Sequence, residues 1–313
     1  MSGQPSSWVL SEQYAGLQNQ ALGLAEAASL APDLRVLVPR PPWSWVPAAL
    51  WPAPLAAVPA RALGPPWPEL AIGCGGVAAA IGAALRQRGL RAVHVQHPRM
   101  DPRRFDVVVV NRHDELTGPN VVVTRTALHR VTPERLAEAA RLWAPRLAHL
   151  PRPLVAVLVG GTNGRFRLDS AEGQKLAAQL AGMMRADRVG VALTPSRRTD
   201  PAARAALAAA LGPLGGWIWD GEGDNPYFGL LALADACVVT IDSVSMVSEA
   251  VATAAPVMIA DLPGKSRRIG LFTEGLAGDG RIRPFAGRLE MWPVRPLNDT
   301  QAAADEMRRR LGF

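Results

Sequence analysis

The stretch LPRPLVAVLVGGTNG, residues 150–164, decides how the fold is read. Proline cannot continue a helix and biases the residue before it to extended backbone, so Pro151 and Pro153 close whatever precedes them. Leu154–Val159 is then an apolar run of strand length, ended by Gly160 and Gly161. Upstream, apolar runs at 8–10, 35–38, 70–72, 92–96, 106–110 and 121–124 read as strands. Helical patterns fall at 19–29, after the glycines that follow residue 72, and from Thr132 to His149. Thr132 is placed as N-cap with Pro133 at the first helical position. Val107 to Val110 are β-branched throughout, as suits a strand buried on both faces of a parallel sheet. Downstream of Pro153 the alternation restarts. Strands are expected at 154–159, 189–193, 217–219, 236–241 and 256–259, and helices at 169–184, 201–211, 227–234, 243–252 and 300–311. The last helix ends in Arg308, Arg309 and Arg310, cations at the negative end of its dipole.

Alternating β and α units imply α/β architecture, here two Rossmann-like doubly wound domains facing a cleft. Their expected bounds are 1–150, joined by the C-terminal helix 299–313, and 151–298. A length of 313 residues agrees with two domains at ~150 residues each. With 49% hydrophobic and 19% charged residues the chain has ample material for a core. It shows no apolar run of ~18 residues that would span a membrane and no secretory signal, so a cytoplasmic location is expected.

The net charge is +7, and among 34 basic residues only Lys175 and Lys265 are lysine. A GC-rich coding sequence explains an arginine bias. An anionic partner explains it equally well, because guanidinium is a planar fork suited to phosphate. Nucleic acid is not expected as that partner: the arginines do not alternate with aromatics, and no recognition motif is present. Cys74 and Cys237 lie outside any CxxC and read as buried thiols. Five scattered histidines lack ligand spacing, so no metal site is expected. Residues 39–68 hold ten prolines and four tryptophans, Trp43, Trp45, Trp51 and Trp67. This segment either lies over the first domain with its indoles packed down, or dips into a membrane interface, where tryptophan is favoured. The second option makes the protein peripheral at the inner face of a membrane.

Ligands of open α/β sheets bind beyond the carboxyl ends of strands, so the loops there are the candidate sites. Gly160, Gly161 and Thr162 follow one strand. Their glycines would let backbone N–H groups approach an anion, although neither a Walker A loop nor GxGxxG is present. Ser196, Arg197, Arg198 and Thr199 follow the next strand and suit a diphosphate. Residues 240–250 pass from strand to helix through Asp242, Ser243 and Ser245. N–H groups free at that helix start suit a phosphate, and Glu249 one turn on could accept two hydrogen bonds from vicinal ribose hydroxyls. Either Asp242 or Ser243 could cap the helix. The glycine-rich loop 221–226 before Tyr227 could flank a base or sugar. In the first domain the turn 11–20, with Glu12 and the amides of Gln18, Asn19 and Gln20, could shape an acceptor pocket. Gly73 to Gly76 form a second glycine turn. Arg99 and Arg112 follow two further strands. His113 beside Asp114 is either a general base or a satisfied structural histidine.

Taken together, DxVSMxSEA at 242–250, SRRT at 196–199, VGG at 159–161, His113–Asp114 and GxxNQ at 16–20 resemble the mitochondrial fission ("elongated mitochondria") family. Asn120–Val122 and Arg283–Phe285 extend the likeness, and the motifs span nearly the whole chain in order. The resemblance is to its bacterial branch, whose members are usually described as nucleotide-sugar enzymes. The resemblance implies a GT-B glycosyltransferase architecture with the donor nucleotide-sugar on the C-terminal domain. Glu249 would hold the ribose there. The acceptor, lipid-linked as one option, would lie on the N-terminal domain, with Glu12, His113 or Asp114 deprotonating its hydroxyl. No cofactor beyond the nucleotide-sugar substrate is implied, and the arginines would replace a metal as counter-charge. The alternative is a non-catalytic interaction or membrane-recruitment protein that keeps the fold. Family members commonly carry arginines in a GRR-like turn where this chain has Gly73–Cys74–Gly75–Gly76. A short-chain epimerase route is excluded, because neither Tyr14 nor Tyr227 is followed by lysine at the YxxxK spacing.

Overall fold

The computed structural model describes residues 5–313. The chain forms two compact units, 5–130 with 298–313, and 131–297.

In the N-terminal unit six strands run parallel in the order β2-β1-β3-β4-β5-β6. They are β1 (Ser7–Ser11), β2 (Asp33–Val36), β3 (Leu70–Cys74), β4 (Arg91–Val95), β5 (Val107–Asn111) and β6 (Val121–Thr124). Alternate residues of the central strands feed opposite faces. Val9, Ile72, Cys74, Val93 and Val107 pack on one side against Ala21 and Leu24 of α1 (Ala15–Ala27). Trp8, Leu10 and Ala71 pack on the other against Ala78 and Ile81 of α2 (Gly76–Gln87). The chain's last helix (Thr300–Leu311) returns to this unit, placing Ala303, Ala304 and Met307 in the α1 layer. Strand order changes direction between β1 and β3, the topological switch point of this sheet.

In the C-terminal unit the order is β12-β11-β10-β7-β8-β9, again all parallel. The strands are β7 (Leu154–Val159), β8 (Gly190–Pro195), β9 (Trp217–Ile218), β10 (Ala236–Thr240), β11 (Val257–Ala260) and β12 (Ile282–Pro284). β7 shows the two-faced pattern most clearly. Val155, Val157 and Val159 meet α4 (Ser170–Asp187) and α5 (Pro201–Leu211), while Leu154, Ala156 and Leu158 join the opposite layer. That layer holds α3 (Pro133–Leu147), α6 (Tyr227–Leu233), α7 (Val244–Val251) and α8 (Arg267–Gly278); the returning C-terminal helix is α9. The switch point here lies between β7 and β10.

The structure departs from the sequence expectations in several places. The boundary at 150/151 moves to 130/131, because Trp143 and Leu147 of α3 are buried among the residues of α6, β7 and β10. Thr132 does cap α3, accepting from Arg135 N–H at 3.2 Å, so the helix opens the second unit and the Pro-rich stretch is an internal turn. α1 begins at Ala15, so the GxxNQ residues lie on a helix and not in a turn; Gln20 Nε2 donates to Gly16 O at 3.1 Å. α8 and β12 were not anticipated. Among the described residues no helix is long and apolar enough to cross a membrane.

Candidate functional site

The loops after β7, β8 and β10 converge at the switch point of the C-terminal unit, and Asp242 joins them. Its buried carboxylate accepts from Thr240 Oγ1 at 2.7 Å, from Gly161 N–H at 3.1 Å and from Arg198 Nη2 at 3.0 Å. Thr240 Oγ1 in turn accepts from Gly160 N–H at 2.8 Å. Ser196 Oγ and Thr199 Oγ1 both donate to Gly160 O, the former at 2.9 Å. Thr162 Oγ1 accepts from Leu168 N–H at 3.0 Å.

These bonds revise two expectations. The N–H groups of Gly160 and Gly161 are not free to cradle an anion, because the chain's own oxygens hold them. The glycines are required for packing: a Cβ on Gly160 would lie 2.1 Å from Asp242 Oδ1, and one on Gly161 would lie 2.0 Å from Arg198 O. Nor do the two arginines act alike. Arg198 is tied to Asp242, whereas the exposed Arg197 takes no hydrogen bond or ion pair among the described residues.

α7 starts beside this network. Ser243, not Asp242, is its cap, accepting from Met246 N–H at 3.4 Å. The N–H groups of Val244 and Ser245 in its first turn have no acceptor among the described residues. Orphan donors at a helix start favour an anion. Glu249 lies four residues after Ser245, on the same face of α7, and is buried. Tyr227, at the start of α6, donates its hydroxyl to Glu249 Oε2. Burial pushes the Glu249 carboxyl up to about 7, opposed by the tyrosine hydrogen bond. Burial, and then the carboxylate, push the Tyr227 hydroxyl well above the ordinary tyrosine range. Sequence reading placed Tyr227 only beside a weak loop. Its rarity, one of two tyrosines in the chain, was the available signal. It missed Arg281 altogether. This buried guanidinium donates to Val251 O at 2.9 Å and Thr253 O at 3.2 Å, at the carboxyl end of α7. A cation there is favoured by the helix dipole.

In the N-terminal unit Glu12 follows β1 at the switch point. Oε1 accepts from Val77 N–H in the first turn of α2, at 3.3 Å. Oε2 is buried with no hydrogen-bond partner among the described residues. Burial raises this carboxyl, and the two backbone hydrogen bonds lower it less. Gly75 has φ +104°, and a Cβ there would lie 2.3 Å from Glu12 Oε2. The Gly73–Gly76 turn is therefore shaped around Glu12. His113 and Asp114 lie elsewhere, after β5. Both side chains are buried, with Nε2 to Oδ1 at 3.8 Å, and Asp114 Oδ2 accepts from Asn111 N–H at 3.3 Å. Arg112 lines a cavity of about 340 Å³ with Arg125, Asp299 and Ala302. Among the described residues no three His, Cys, Asp or Glu side chains gather as for a metal ion. Cys74 and Cys237 are free, buried thiols.

Two six-stranded parallel sheets with these switch points make this an α/β protein of two Rossmann-like units, the fold called GT-B, which glycosyltransferases and epimerases share. MurG from Acinetobacter baumannii superposes with TM-score 0.53 at 16% identity, over 98% of this chain and 90% of that one. The UDP-GlcNAc 2-epimerase of Methanocaldococcus jannaschii gives 0.56 at 10%, over 98% and 99%. Os79 from O. sativa in complex with UDP gives 0.56 at 13%, over 97% and 91%. At such identities the likeness shows the fold alone. The chain belongs to the mitochondrial fission ELM1 family, whose model matches residues 15–311. Mitochondrial fission protein ELM1 of Arabidopsis thaliana is 33% identical over 274 residues, 78% of this chain and 64% of that protein. An uncharacterized protein of Rickettsia prowazekii (strain Madrid E) is 26% identical over 207 residues, 62% and 56%. The chain thus spans less than two thirds of the length of either curated relative.

Proposed function

We propose that the C-terminal unit binds a nucleotide-diphosphate-sugar and that the chain is a metal-independent glycosyltransferase. The observation that carries this reading is the first turn of α7. Two N–H donors without acceptors open a helix that presents Ser245 and, one turn on, the buried Glu249. The diphosphate takes the helix start, and Arg197, one residue from the Arg198–Asp242 pair, supplies mobile positive charge. Glu249 accepts from the ribose hydroxyls, replacing its bond to Tyr227. Structural neighbours carrying UDP or UDP-GlcNAc support a nucleotide ligand of this kind.

In the reaction an acceptor hydroxyl oxygen bonds to the anomeric carbon as the bond from that carbon to the diphosphate oxygen breaks. The diphosphate leaves with the electron pair, and the hydroxyl proton passes to a base. Glu12 is the first choice of base, because its raised carboxyl has one oxygen without a partner among the described residues; His113 and Asp114 are the other candidates. A lipid-linked acceptor is proposed for a chain that meets a membrane. The test is calorimetric titration with UDP, GDP, ADP and CDP, on the native chain and on Glu249→Ala. One nucleotide should bind, and the variant should bind it at least about tenfold more weakly. If the native chain binds none of the four, the donor site is wrong.

The turn after β3 favours a second reading. Gly73–Cys74–Gly75–Gly76 lacks the arginines that the family resemblance leads one to expect there, and Glu12 fills the turn. A non-catalytic family member would bind nucleotide weakly or not at all and would turn over no sugar nucleotide.

A further inference from the structure

The structure sorts the four tryptophans of 39–68. Trp51 is buried, its Nε1 donating to Trp43 O at 3.1 Å and Val46 O at 3.0 Å, and Trp43 packs edge-on to it at 6.0 Å. Trp67 lies against Trp8 at 5.4 Å. Trp45 is different: 77% of it is exposed, and its indole N–H takes no hydrogen bond among the described residues. Val46 and Leu50, 70% exposed, stand with it. The segment is folded and not loose. Short 3₁₀ turns at Trp43–Trp45, Ala48–Leu50 and Pro54–Ala56 are pinned to α2 through a cluster of Trp51, Ala57 and Ala80. A fold that buries Trp51 and half-buries Trp43 here, while holding Trp45 and Leu50 in water, has built an apolar surface.

Its charge is one-sided. From 37 to 68 there is no Asp or Glu, and the only charged residues are Arg40 and Arg61, both exposed. Arg40 is fixed beneath the first turn, donating to Ala56 O at 3.1 Å. Met100 packs into the same cluster, and exposed Arg99 precedes it. An indole with a free N–H, flanking aliphatic tips and the exposed Arg40 and Arg99, with the nearby Asp101 carboxylate already paired to Arg103, match the headgroup–acyl boundary of an anionic bilayer. We propose that Trp45, Val46 and Leu50 insert into an anionic membrane surface, with Arg40 and Arg99 meeting its headgroups. This does not depend on nucleotide binding.

The test is flotation of the full chain with phosphatidylcholine vesicles, with and without phosphatidylglycerol, alongside light scattering of the chain alone. The chain should float with the anionic vesicles, and less so at high salt. Trp45→Ser and Leu50→Ser should each weaken partitioning about tenfold while leaving the thermal midpoint unchanged. Arg40→Gln should weaken it several-fold on anionic vesicles only. Absence of flotation would overturn the proposal, as would flotation untouched by the two apolar variants. So would a dimer that Trp45→Ser dissolves, which would make the surface a contact between two copies.

Discussion

Asp242→Ala is the most informative perturbation of the C-terminal unit. The carboxylate is fully buried and accepts three hydrogen bonds. Its removal leaves Gly161 N–H and the Thr240 hydroxyl without their acceptor in a buried setting, at about 1–3 kcal/mol each. Against this stands relief of the desolvation of a buried charge. The Arg198 partner contributes little, because its side chain is 45% exposed and solvent screens it. The net expectation is a loss of about 2–4 kcal/mol, or about 4–16 °C in the midpoint of the C-terminal unit. Arg198→Ala should cost no more than about 1 kcal/mol. Urea unfolding followed by tryptophan fluorescence measures both, with m-values checked to be unchanged. If Arg198→Ala proved as costly as Asp242→Ala, the exposed ion pair and not the buried backbone acceptor would be holding the loops, and the reasoning would fail.

Three further expectations follow from the same geometry. Glu249 is raised to about 7 from an unfolded value of 4.5, so the stability it confers is full below pH 4.5 and is lost as pH rises through 7. The loss is about 3 kcal/mol, and Glu249→Gln should flatten that part of a stability–pH curve measured by urea unfolding. Gly161→Ala must push its Cβ against Arg198 O and should cost about 3 kcal/mol, seen as a lowered midpoint. Cys74 and Cys237 are buried, with thiols pushed above the ordinary range, Cys237 to about 12. Both should resist a disulfide reagent in the native chain and react at once in urea; rapid native labelling of either would contradict the core packing.

Much of the architecture was readable because buried parallel strands announce themselves. Leu154–Val159 and Val121–Thr124 have the bounds expected from apolar runs alone. The failures share a cause in tertiary packing. α3 was assigned to the wrong unit because Pro151 and Pro153 look like a boundary locally, whereas Trp143 decides the matter by burying itself in the second core. α1 began earlier than read because Gly16 and Gln18 masked the periodicity of its first turn. α8 buries only Phe272 and Leu276 among its residues and carries Gly270 and Gly275, too faint an apolar stripe to register. At the candidate site, motif position directed attention to the strand ends, where the loops after β7, β8 and β10 meet. Which oxygen would occupy which N–H could not be read, since that depends on loops brought together from residues about 80 positions apart.

The occupied N–H groups of Gly160 and Gly161 change where an anion can bind. Glycines after a strand are read as an open cradle, yet here the cradle is filled by Thr240 and Asp242. Filling it fixes the loop after β7 to the end of β10, and Ser196 and Thr199 fix the loop after β8 to Gly160 O. Three loops thereby become one rigid platform, and the donors still open on it belong to the first turn of α7. The dipole of that helix is anchored at its far end by the buried Arg281 and leads inward to Glu249. The sheet's switch point thus supplies rigidity, while the contacts proposed for a phosphate and a ribose lie on a single helix. Substitutions at Gly160, Gly161 or Asp242 should then lower stability first and nucleotide binding only as a consequence. Substitutions at Ser245 or Arg197 should lower binding in a chain that unfolds as the native one does, and the reverse pattern would return the anion to the glycine loop.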